Sequence, residues 1–267
     1  MFGSNKTADT EASDQVQRRD LEGKTVLITG SARNMGRAFA ESLSARGADI
    51  VIHHHDENSV RDAEDAAHAV QKNGARVLIV SGDLADPKTV RGIFKATKEA
   101  YGRIDIVINN AGLVIKKPFV EVSEDDFDRA FGINTKAAFF TMQEAAKVIE
   151  DNGRIINMGT TLLGATTGMY GLYAGSKAPL EDFTRALAKE IGSRGVTVNT
   201  VAPGPIDTPF FHGEENEQST AYLANMSVAS RLGQIDDIVP LIDFLASEES
   251  RWVTAQTLFI NGGFLAR

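Results

Sequence analysis

A tyrosine and a lysine, Tyr173 and Lys177, stand four residues apart in a segment whose apolar residues recur at helical spacing. This spacing places both side chains on one face of a helix, one turn apart. A lysine ammonium next to a phenol favours the phenolate and thereby lowers the pKa of the tyrosine. A tyrosine tuned in this way passes a proton to or from a substrate oxygen. Because such pairs are also common on structural helices, the surrounding motifs must decide between catalysis and structure.

Polar motifs follow several of the predicted strands. Asn109–Gly112 (Asn-Asn-Ala-Gly) follows the fourth strand, Thr160 and Thr161 follow the fifth, and Pro203–Thr208 follows the sixth. Asn134 is predicted to open a helix. The carboxyl ends of parallel strands meet at one edge of the sheet, where ligands of such folds bind. The sequence therefore predicts that these polar groups lie near the tyrosine and lysine.

A glycine turn follows the first predicted strand, in the segment Thr29–Gly36. Glycines at a strand-to-helix turn let the backbone bend tightly and approach a pyrophosphate. The helix that follows offers unpaired N–H groups and the positive end of its dipole. The position of the turn favours dinucleotide binding, and a tight turn without a ligand is the alternative.

Seven predicted strands alternate with helices along the chain. The strands are predicted at 25–29, 49–53, 76–80, 104–109, 154–158, 196–201 and 257–260, and the helices near 36–46, 59–73, 87–101, 134–150, 173–193 and 236–247. This alternation is typical of a parallel sheet covered on both faces and joined by right-handed crossovers. We therefore expect a single doubly wound α/β domain of the Rossmann type, with a seven-stranded parallel sheet.

Composition excludes several classes of site. The 267 residues include no cysteine, which rules out disulfides, thiolate zinc sites and a cysteine nucleophile. The net charge of −8 argues against general binding to nucleic acid or to anionic membranes. No apolar run approaches the roughly 18 residues of a membrane span, and the N-terminus lacks the apolar core of a signal peptide. We expect a cytoplasmic protein with a polar, flexible tail over residues 1–20 and one catalytic domain over residues 21–267, which holds both the dinucleotide and the substrate site.

The Asn-Asn-Ala-Gly, Tyr-x-x-x-Lys and Pro-Gly-x-x-x-Thr elements, in this order and at this spacing, resemble the classical short-chain dehydrogenase/reductase family over about residues 22–264. Within that family the chain looks most like reductases similar to 3-oxoacyl-carrier-protein reductase. The resemblance implies that Tyr173 is the general acid/base and that Lys177 lowers its pKa and binds the nicotinamide ribose. It also implies that the Thr160 hydroxyl holds the substrate oxygen and that Asn134 anchors a water in a proton relay.

The same resemblance assigns the cofactor site. Asn110 would support the adenosine-side ribose and the central sheet, Asp83 would contact the adenine, and Thr208 would contact the nicotinamide carboxamide and phosphate region. The predicted cofactor residues are Gly30, Ser31, Arg33, Asn34, Met35, Gly36, His54, Asp83, Leu84, Asn110, Ala111, Gly112, Tyr173, Lys177, Pro203, Gly204, Ile206 and Thr208.

Three positions depart from the family pattern. Asn34 stands where a second glycine is usual, but asparagine takes a positive φ more readily than other non-glycine residues. Thr160 replaces the usual serine and is stiff at χ1, so that Thr161 is the alternative working hydroxyl. Pro179 lies inside the Tyr173 helix and cannot donate to the carbonyl four residues earlier, which predicts a bend or a water-filled gap.

The end of the second strand bears on cofactor choice. Dinucleotide folds that select NAD place an acidic side chain there, and alignment with the family places His54 at that position. Arg33, in the glycine turn, is suited to bind a 2′-phosphate. Asp56 is the acidic residue near this position that would contradict this interpretation. We therefore expect NADP(H) to be preferred, with NAD(H) as the alternative. No metal is expected, because residues 53–55, all histidine, alternate sides of a strand.

An apolar substrate body is predicted from the pocket candidates. These are Thr161, Leu162, Tyr170, Pro205 and Phe210, with Leu163, Met169 and Phe211 beside them. The less regular segment 205–230 is either a substrate lid or a cover over the core. An apolar stripe over residues 137–148 is interpreted as core plus subunit contact, and the resemblance implies a homo-oligomer, a dimer of dimers.

The expected activity is NADPH-dependent reduction of a small to medium, largely apolar ketone or aldehyde. Hydride would move between the nicotinamide and the carbonyl or alcohol carbon. One alternative is an NAD-dependent alcohol or polyol dehydrogenase working in the oxidative direction. A second is a dinucleotide sensor without turnover, which need not keep the tyrosine, lysine and hydroxyl together.

Overall fold

The computed structural model describes residues 19–165 and 167–266 of the chain. The predicted flexible tail, residues 1–20, lies outside these residues except for its last two. Asp20 forms an ion pair with Arg46 at 2.6 Å, and Leu21 is buried in the core. Asp20 is therefore already in contact with the folded unit.

Seven parallel strands form one sheet in the order β3-β2-β1-β4-β5-β6-β7. The order reverses between β1 and β4, which creates the switch point where ligands of such sheets bind. The predicted seven-stranded, doubly wound sheet is confirmed. The strands are β1 Thr25–Ile28, β2 Asp49–His54, β3 Val77–Ser81, β4 Ile106–Asn109, β5 Arg154–Met158, β6 Thr197–Pro203 and β7 Thr257–Ile260.

Helices cover both faces of the sheet. One face packs against α1, α2 and α10 around Phe39, Leu43 and Ile242, and the other packs against α3, α5 and α7 around Phe94 and Leu180. Each such fully buried side chain contributes about 1.5–3 kcal/mol of hydrophobic stabilisation. The helices are α1 Asn34–Ala45, α2 Val60–Lys72, α3 Pro87–Tyr101, α4 Glu124–Phe131, α5 Ala138–Val148, α6 Gly171–Lys177, α7 Pro179–Ile191, α8 Pro209–His212, α9 Glu217–Asn225 and α10 Ile235–Ala246.

The prediction that Asn134 opens a helix is wrong. The helical run begins ten residues earlier at Glu124, and Asn134 lies in a π-helical segment, Gly132–Ala137, that joins α4 to α5. The N-terminal cap is Ser123, whose hydroxyl accepts from the main-chain N–H of Asp126 while the Asp126 carboxylate accepts from the N–H of Ser123. This Ser-x-x-Asp capping box was the sequence signal for the earlier start.

The Tyr173 helix is interrupted where its proline predicts. α6 ends at Lys177 and α7 begins at Pro179. Proline has no N–H to donate to the carbonyl of Gly175, so the ladder of helical hydrogen bonds lacks one member there. Tyr173 and Lys177 therefore lie on the short helix α6, ahead of the break.

The segment 205–230 contains more regular structure than its sequence suggests. It holds two short helices, α8 and α9, capped by the side chains of Thr208 and Asn216. The two helices follow β6 at the same edge of the sheet as the glycine turn.

Candidate active site

A cleft of about 540 Å³ lies at the carboxyl ends of strands β1 to β6. It extends from the glycine turn to the α6 pair, Tyr173 and Lys177, as the sequence predicts. The predicted cofactor residues that line it are Gly30, Arg33, Asn34, Met35, Gly36, His54, Asp83, Leu84, Asn110, Ala111, Gly112, Tyr173, Lys177, Pro203 and Thr208.

The glycine turn is packed too closely to admit a side chain at Gly30 or Gly36. A Cβ on Gly30 would lie 3.0 Å from Cα of Ala111, and a Cβ on Gly36 would lie 2.5 Å from the carbonyl oxygen of Gly30. Asn34 has φ of 52°, as expected for a residue that replaces glycine. No described side chain caps the N-terminus of α1, and its first turn carries no acidic residue. The N–H groups and the positive dipole end of α1 are therefore available to an anion.

Asn110 joins the glycine turn to β4. Its side-chain amide donates to the carbonyl oxygens of Thr29 and Gly30 at 3.1 and 3.0 Å. Its own main-chain N–H donates to Oγ1 of Thr29 at 3.0 Å. This geometry gives Asn110 the supporting contact to the central sheet that the resemblance implies.

Lys177 is held in the floor of the cleft. Its ammonium donates to the carbonyl oxygen of Met158 at 2.9 Å, and burial lowers the pKa of Lys177 to about 8. A Cβ on Gly112 would lie only 3.2 Å from Nζ of Lys177, so glycine leaves room for the ammonium. Lys177 therefore has a fixed position with a proton that is held less tightly than in water.

The pKa of Tyr173 is raised, whereas the sequence analysis expects Lys177 to lower it. Burial raises the pKa of Tyr173 to about 12, and the hydrogen bond with Thr160 offsets this only in part. Lys177 is buried as well, and Thr160 is the one neighbour whose interaction lowers the pKa of this phenol. The side chain of Tyr173 is thus a protonated phenol at neutral pH, which suits a proton donor.

The two adjacent threonines have different surroundings. The Thr160 hydroxyl hydrogen-bonds Tyr173 and also accepts from the main-chain N–H of Leu162 at 3.3 Å. The Thr161 hydroxyl donates to the carbonyl oxygen of Ala202 at 3.1 Å and accepts from the amide of Asn261 at 3.2 Å. Thr161 is thereby engaged with β6 and the C-terminal segment, whereas the Thr160 hydroxyl faces the phenol.

The side chain of Asn134 does not line the cleft. Its amide donates to the carbonyl oxygen of Leu113 at 2.7 Å and to Oγ of Ser176 at 2.9 Å, and its Oδ1 accepts from the N–H of Leu113 at 2.9 Å. A fully buried amide must satisfy its polar groups within the protein. These contacts join the π-helical segment to α6 and to the loop after β4. The role of Asn134 as a water anchor stays a prediction.

Three predicted cofactor residues lie outside the cleft. Ser31 is fully buried. Its hydroxyl donates to the carbonyl oxygen of Ile28 at 2.8 Å and accepts from the N–H of His53 at 3.0 Å. Gly204 and Ile206 instead line a second, smaller cavity.

Histidines form the adenosine-side wall of the cleft. Sequence reasoning named His54, which lines the cleft while its Nδ1 hydrogen-bonds the main-chain carbonyl of Asp56 at 3.0 Å. It missed His53, which accepts from the N–H of Gly30 through Nδ1 at 3.1 Å and bonds the carbonyl of Gly82 through Nε2 at 3.0 Å. The alternation of β2 was the available signal, since it points His53 and His54 to opposite faces.

Two charged side chains near this wall, Asp56 and Arg33, bear on cofactor choice. The Asp56 carboxylate caps the turn Glu57–Ser59 by accepting from the N–H of Asn58 at 3.1 Å, and it does not line the cleft. The Arg33 side chain is 70% exposed and lies 3.7 Å from Asp62. Such an exposed, long ion pair contributes at most about 1 kcal/mol, so the guanidinium is available to a ligand.

A second cavity of about 130 Å³ adjoins the cleft at Tyr173. The predicted substrate residues Thr161, Leu162, Tyr170, Pro205 and Phe210 all line it, as does Phe211. Leu163 and Met169 do not. Sequence reasoning missed Val114, Glu214, Leu223 and Phe264, which the topology brings here from distant parts of the chain.

Neither a membrane-spanning helix nor a cluster of metal ligands is present among the described residues. Over residues 19–165 and 167–266, no helix has the length and hydropathy that crossing a bilayer requires. Over the same residues, no three histidine, cysteine, aspartate or glutamate side chains are grouped as a metal site would need.

Known proteins are similar to this chain in sequence. Residues 30–265 match the family model described as enoyl-(acyl carrier protein) reductase. A short-chain type dehydrogenase/reductase of Picea abies is 36% identical over 253 residues, covering 91% of this chain and 93% of that protein. A hydroxynaphthalene reductase-like protein, Arp2, of Metarhizium brunneum is 34% identical over 266 residues, covering 94% and 98%.

A solved structure is similar to this chain in both sequence and fold. The crystal structure of a Burkholderia cenocepacia protein described as a dehydrogenase, with bound NADP, has a TM-score of 0.91 and 42% sequence identity to this chain. The match covers 94% of this chain and 97% of that one.

Proposed function

The chain belongs to the short-chain dehydrogenase/reductase family of NAD(P)-dependent oxidoreductases, and on that premise we propose that it reduces an aromatic, largely apolar ketone with NADPH. The observation that carries this proposal is the position of Tyr173, which lines both the cleft and the smaller cavity. A protonated phenol thus stands where a dinucleotide site meets an apolar pocket. Its proton is available to a carbonyl oxygen held in that pocket.

The residues divide the reaction between them. A reduced nicotinamide held by the residues that line the cleft would supply the hydride for the carbonyl carbon. The Thr160 hydroxyl hydrogen-bonds the carbonyl oxygen, and Tyr173 gives that oxygen its phenolic proton, which completes the alcohol. Lys177 keeps a positive charge in the cleft floor, where the resemblance to the family assigns it to the nicotinamide ribose. The positioned donors are most valuable as negative charge develops on the oxygen.

Preference for NADPH rests on the adenosine-side wall. His54 offers no carboxylate to the ribose, and the Asp56 carboxylate is engaged with Asn58. Arg33 lines the cleft with a largely exposed guanidinium, which is suited to bidentate binding of a phosphate. The solved structure with bound NADP supports the same assignment.

An aromatic substrate fits the smaller cavity. Tyr170, Phe210, Phe211 and Phe264 contribute rings to its wall, and aliphatic side chains supply most of the rest. Aromatic walls favour flat ring systems through offset or edge-to-face contacts. The relative named as hydroxynaphthalene reductase-like supports a bicyclic aromatic carbonyl as the substrate class.

A homo-oligomer formed through α5 and α7 is part of this proposal. Phe139 of α5 is 40% exposed and lies edge to face with Phe183 of α7, with ring centroids 5.1 Å apart. An aromatic pair on the outer surface of adjoining helices is typical of a subunit contact.

The test compares a bicyclic ketone, 1-tetralone, with cyclohexanone while the loss of NADPH or NADH absorbance is followed. We expect kcat/KM with NADPH to be at least about tenfold higher for the bicyclic ketone, because the extra ring buries more apolar surface. Equal rates for the two ketones would contradict the aromatic substrate class. Turnover that occurs only from alcohols with NAD⁺ would favour the oxidative dehydrogenase instead.

A further inference from the structure

Three loops that follow three different strands meet at one carboxylate. Glu215 lies between α8 and α9, after β6, and its side chain is 0% exposed. It accepts from Lys116, in the loop after β4, with Nζ 2.6 Å from Oε2. It also accepts from the hydroxyl of Tyr170, in the loop between β5 and α6. A single buried group thus joins the loops that surround the smaller cavity.

The charges in this cluster are fully paired. Burial would raise the pKa of Glu215, but hydrogen bonds from Lys116, Ser219 and Tyr170 outweigh it and hold the pKa below its ordinary value. Lys116 also donates to the carbonyl oxygen of Glu214 at 3.2 Å, and its Nζ lies 5.3 Å from the ring centroid of Tyr170. Buried charges are retained only with such partners, so each member depends on the others.

The cluster touches the substrate cavity at two points. Tyr170 and Glu214 line the cavity, and the ring of Tyr170 lies edge to face with Tyr173 at 6.2 Å between centroids. The lid, defined here as residues 209–225, also supplies Phe210, Phe211 and Leu223 to the cavity wall. Glu215 lies within the lid, whereas Lys116 and Tyr170 do not.

We propose that Glu215 is a positioning residue for substrate: through Lys116 it fixes the lid over the cavity, and through the Tyr170 hydroxyl it holds the Tyr170 ring as a wall beside Tyr173. The hydroxyl of Tyr170 is engaged with Glu215, so the ring faces the cavity, which favours a flat apolar body there. The effect on substrate rests on the proposed function, whereas the effect on the lid does not.

The test uses Lys116→Met and Glu215→Gln in the full chain, with Lys116→Arg as the conservative variant. Hydrogen exchange of the lid in the NADPH complex should accelerate about tenfold in the first two variants and return to within about threefold of wild type in the third. The KM for 1-tetralone should rise about tenfold, while kcat and the Kd for NADPH change less than about threefold. Tyr170→Phe should raise the same KM while leaving the Lys116–Glu215 pair intact.

Controls separate local from global effects. Lys98→Met removes a lysine that pairs with Glu150 on the far side of the molecule, and Glu217→Gln removes an exposed carboxylate within the lid. Both should leave lid exchange and KM unchanged. The Lys116→Met, Glu215→Gln double variant should be no worse than the Glu215→Gln variant, because that single change already removes the Lys116–Glu215 ion pair.

Three outcomes would overturn the proposal: unchanged lid exchange, faster exchange spread evenly over the chain, or faster lid exchange with an unchanged KM. If wild type reduces no ketone at all, the proposed function fails. The lid exchange of the variants then still decides whether Glu215 anchors the lid.

Discussion

The main-chain N–H of Gly30 donates to Nδ1 of His53 at 3.1 Å. Nδ1 therefore carries no proton, and Nε2–H donates to the carbonyl oxygen of Gly82 at 3.0 Å. One neutral histidine thus joins the glycine turn after β1 to the end of β3. Burial lowers the pKa of His53 to about 4, because a charged ring at this place would lose its hydration.

His53 should make stability depend on pH between about 4 and 6.5. The unfolded chain binds a proton with the ordinary histidine pKa of 6.5, whereas the folded chain binds it only near 4. Stability from the neutral ring is therefore fully present above pH 6.5 and is lost as the pH falls toward 4. The loss should amount to about 3 kcal/mol in the free energy of unfolding.

Urea unfolding at a series of pH values measures this dependence. His53→Asn should flatten the wild-type slope between pH 4 and 6.5, because asparagine does not titrate. His68→Asn, which changes an exposed histidine of α2, is the matched control and should keep the slope. Parallel slopes for wild type and His53→Asn would show that the ring is not held neutral.

Tyr173→Phe should abolish ketone reduction and spare cofactor binding. The change deletes the transferable proton and keeps the ring that separates the two cavities. Loss of a general acid typically costs about 100- to 10,000-fold in rate. Steady-state turnover with 1-tetralone and fluorescence titration with NADPH measure the two effects. A variant with more than half of the wild-type turnover would contradict the assigned role.

Thr160→Ala should lower kcat, whereas Thr161→Ala should lower stability. Removal of an oxyanion donor costs about 100-fold or more in kcat. Removal of the Thr161 hydroxyl deletes its hydrogen bonds with the carbonyl of Ala202 and the amide of Asn261, at a cost of about 1–3 kcal/mol. Thr160→Ser should retain activity. A larger fall in kcat for Thr161→Ala, at full folding, would transfer the oxyanion role to Thr161.

Reduction should weaken as the pH rises above about 8. Burial lowers the pKa of Lys177 to about 8, so its ammonium is mostly charged at pH 7 and mostly neutral at pH 9. The positive charge in the cleft floor is then lost, while Tyr173, with a pKa of about 12, has not yet titrated. We expect kcat/KM for ketone reduction to fall about tenfold per pH unit above 8. A flat profile to pH 10 would exclude this control by Lys177.

Arg33→Ala should reduce the preference for NADPH over NADH. A charge-assisted hydrogen bond to the 2′-phosphate is worth about 1.5–3 kcal/mol, which corresponds to roughly ten- to a hundredfold in kcat/KM. Arg37→Ala is the matched control, since Arg37 pairs with Glu41 on the same helix at 2.6 Å and does not line the cleft. The NADPH/NADH ratio of kcat/KM is the measurement. An unchanged ratio in Arg33→Ala would remove Arg33 from the phosphate site.

Local patterns predicted most of the fold. The spacing of apolar residues indicates buried parallel strands and amphipathic helices. All seven strands are therefore predicted to within two residues at either end. The helix start at Glu124 was missed although its capping box is local. Asn134, where the sequence predicts the start, lies within a π-helical segment and contacts Leu113 and Ser176.

The sequence by itself determined the seven strands, the glycine turn and the helical pair of Tyr173 and Lys177, because each depends on residues that are neighbours along the chain. The tertiary structure alone decided which threonine faces the phenol, since the partners of Thr161 lie 41 and 100 residues away. It also brought Glu215 to Lys116 across 99 residues and raised the pKa of Tyr173 through burial. Periodicity shows which face of an element is buried, but which side chain a buried group meets depends on how the loops cross the sheet edge.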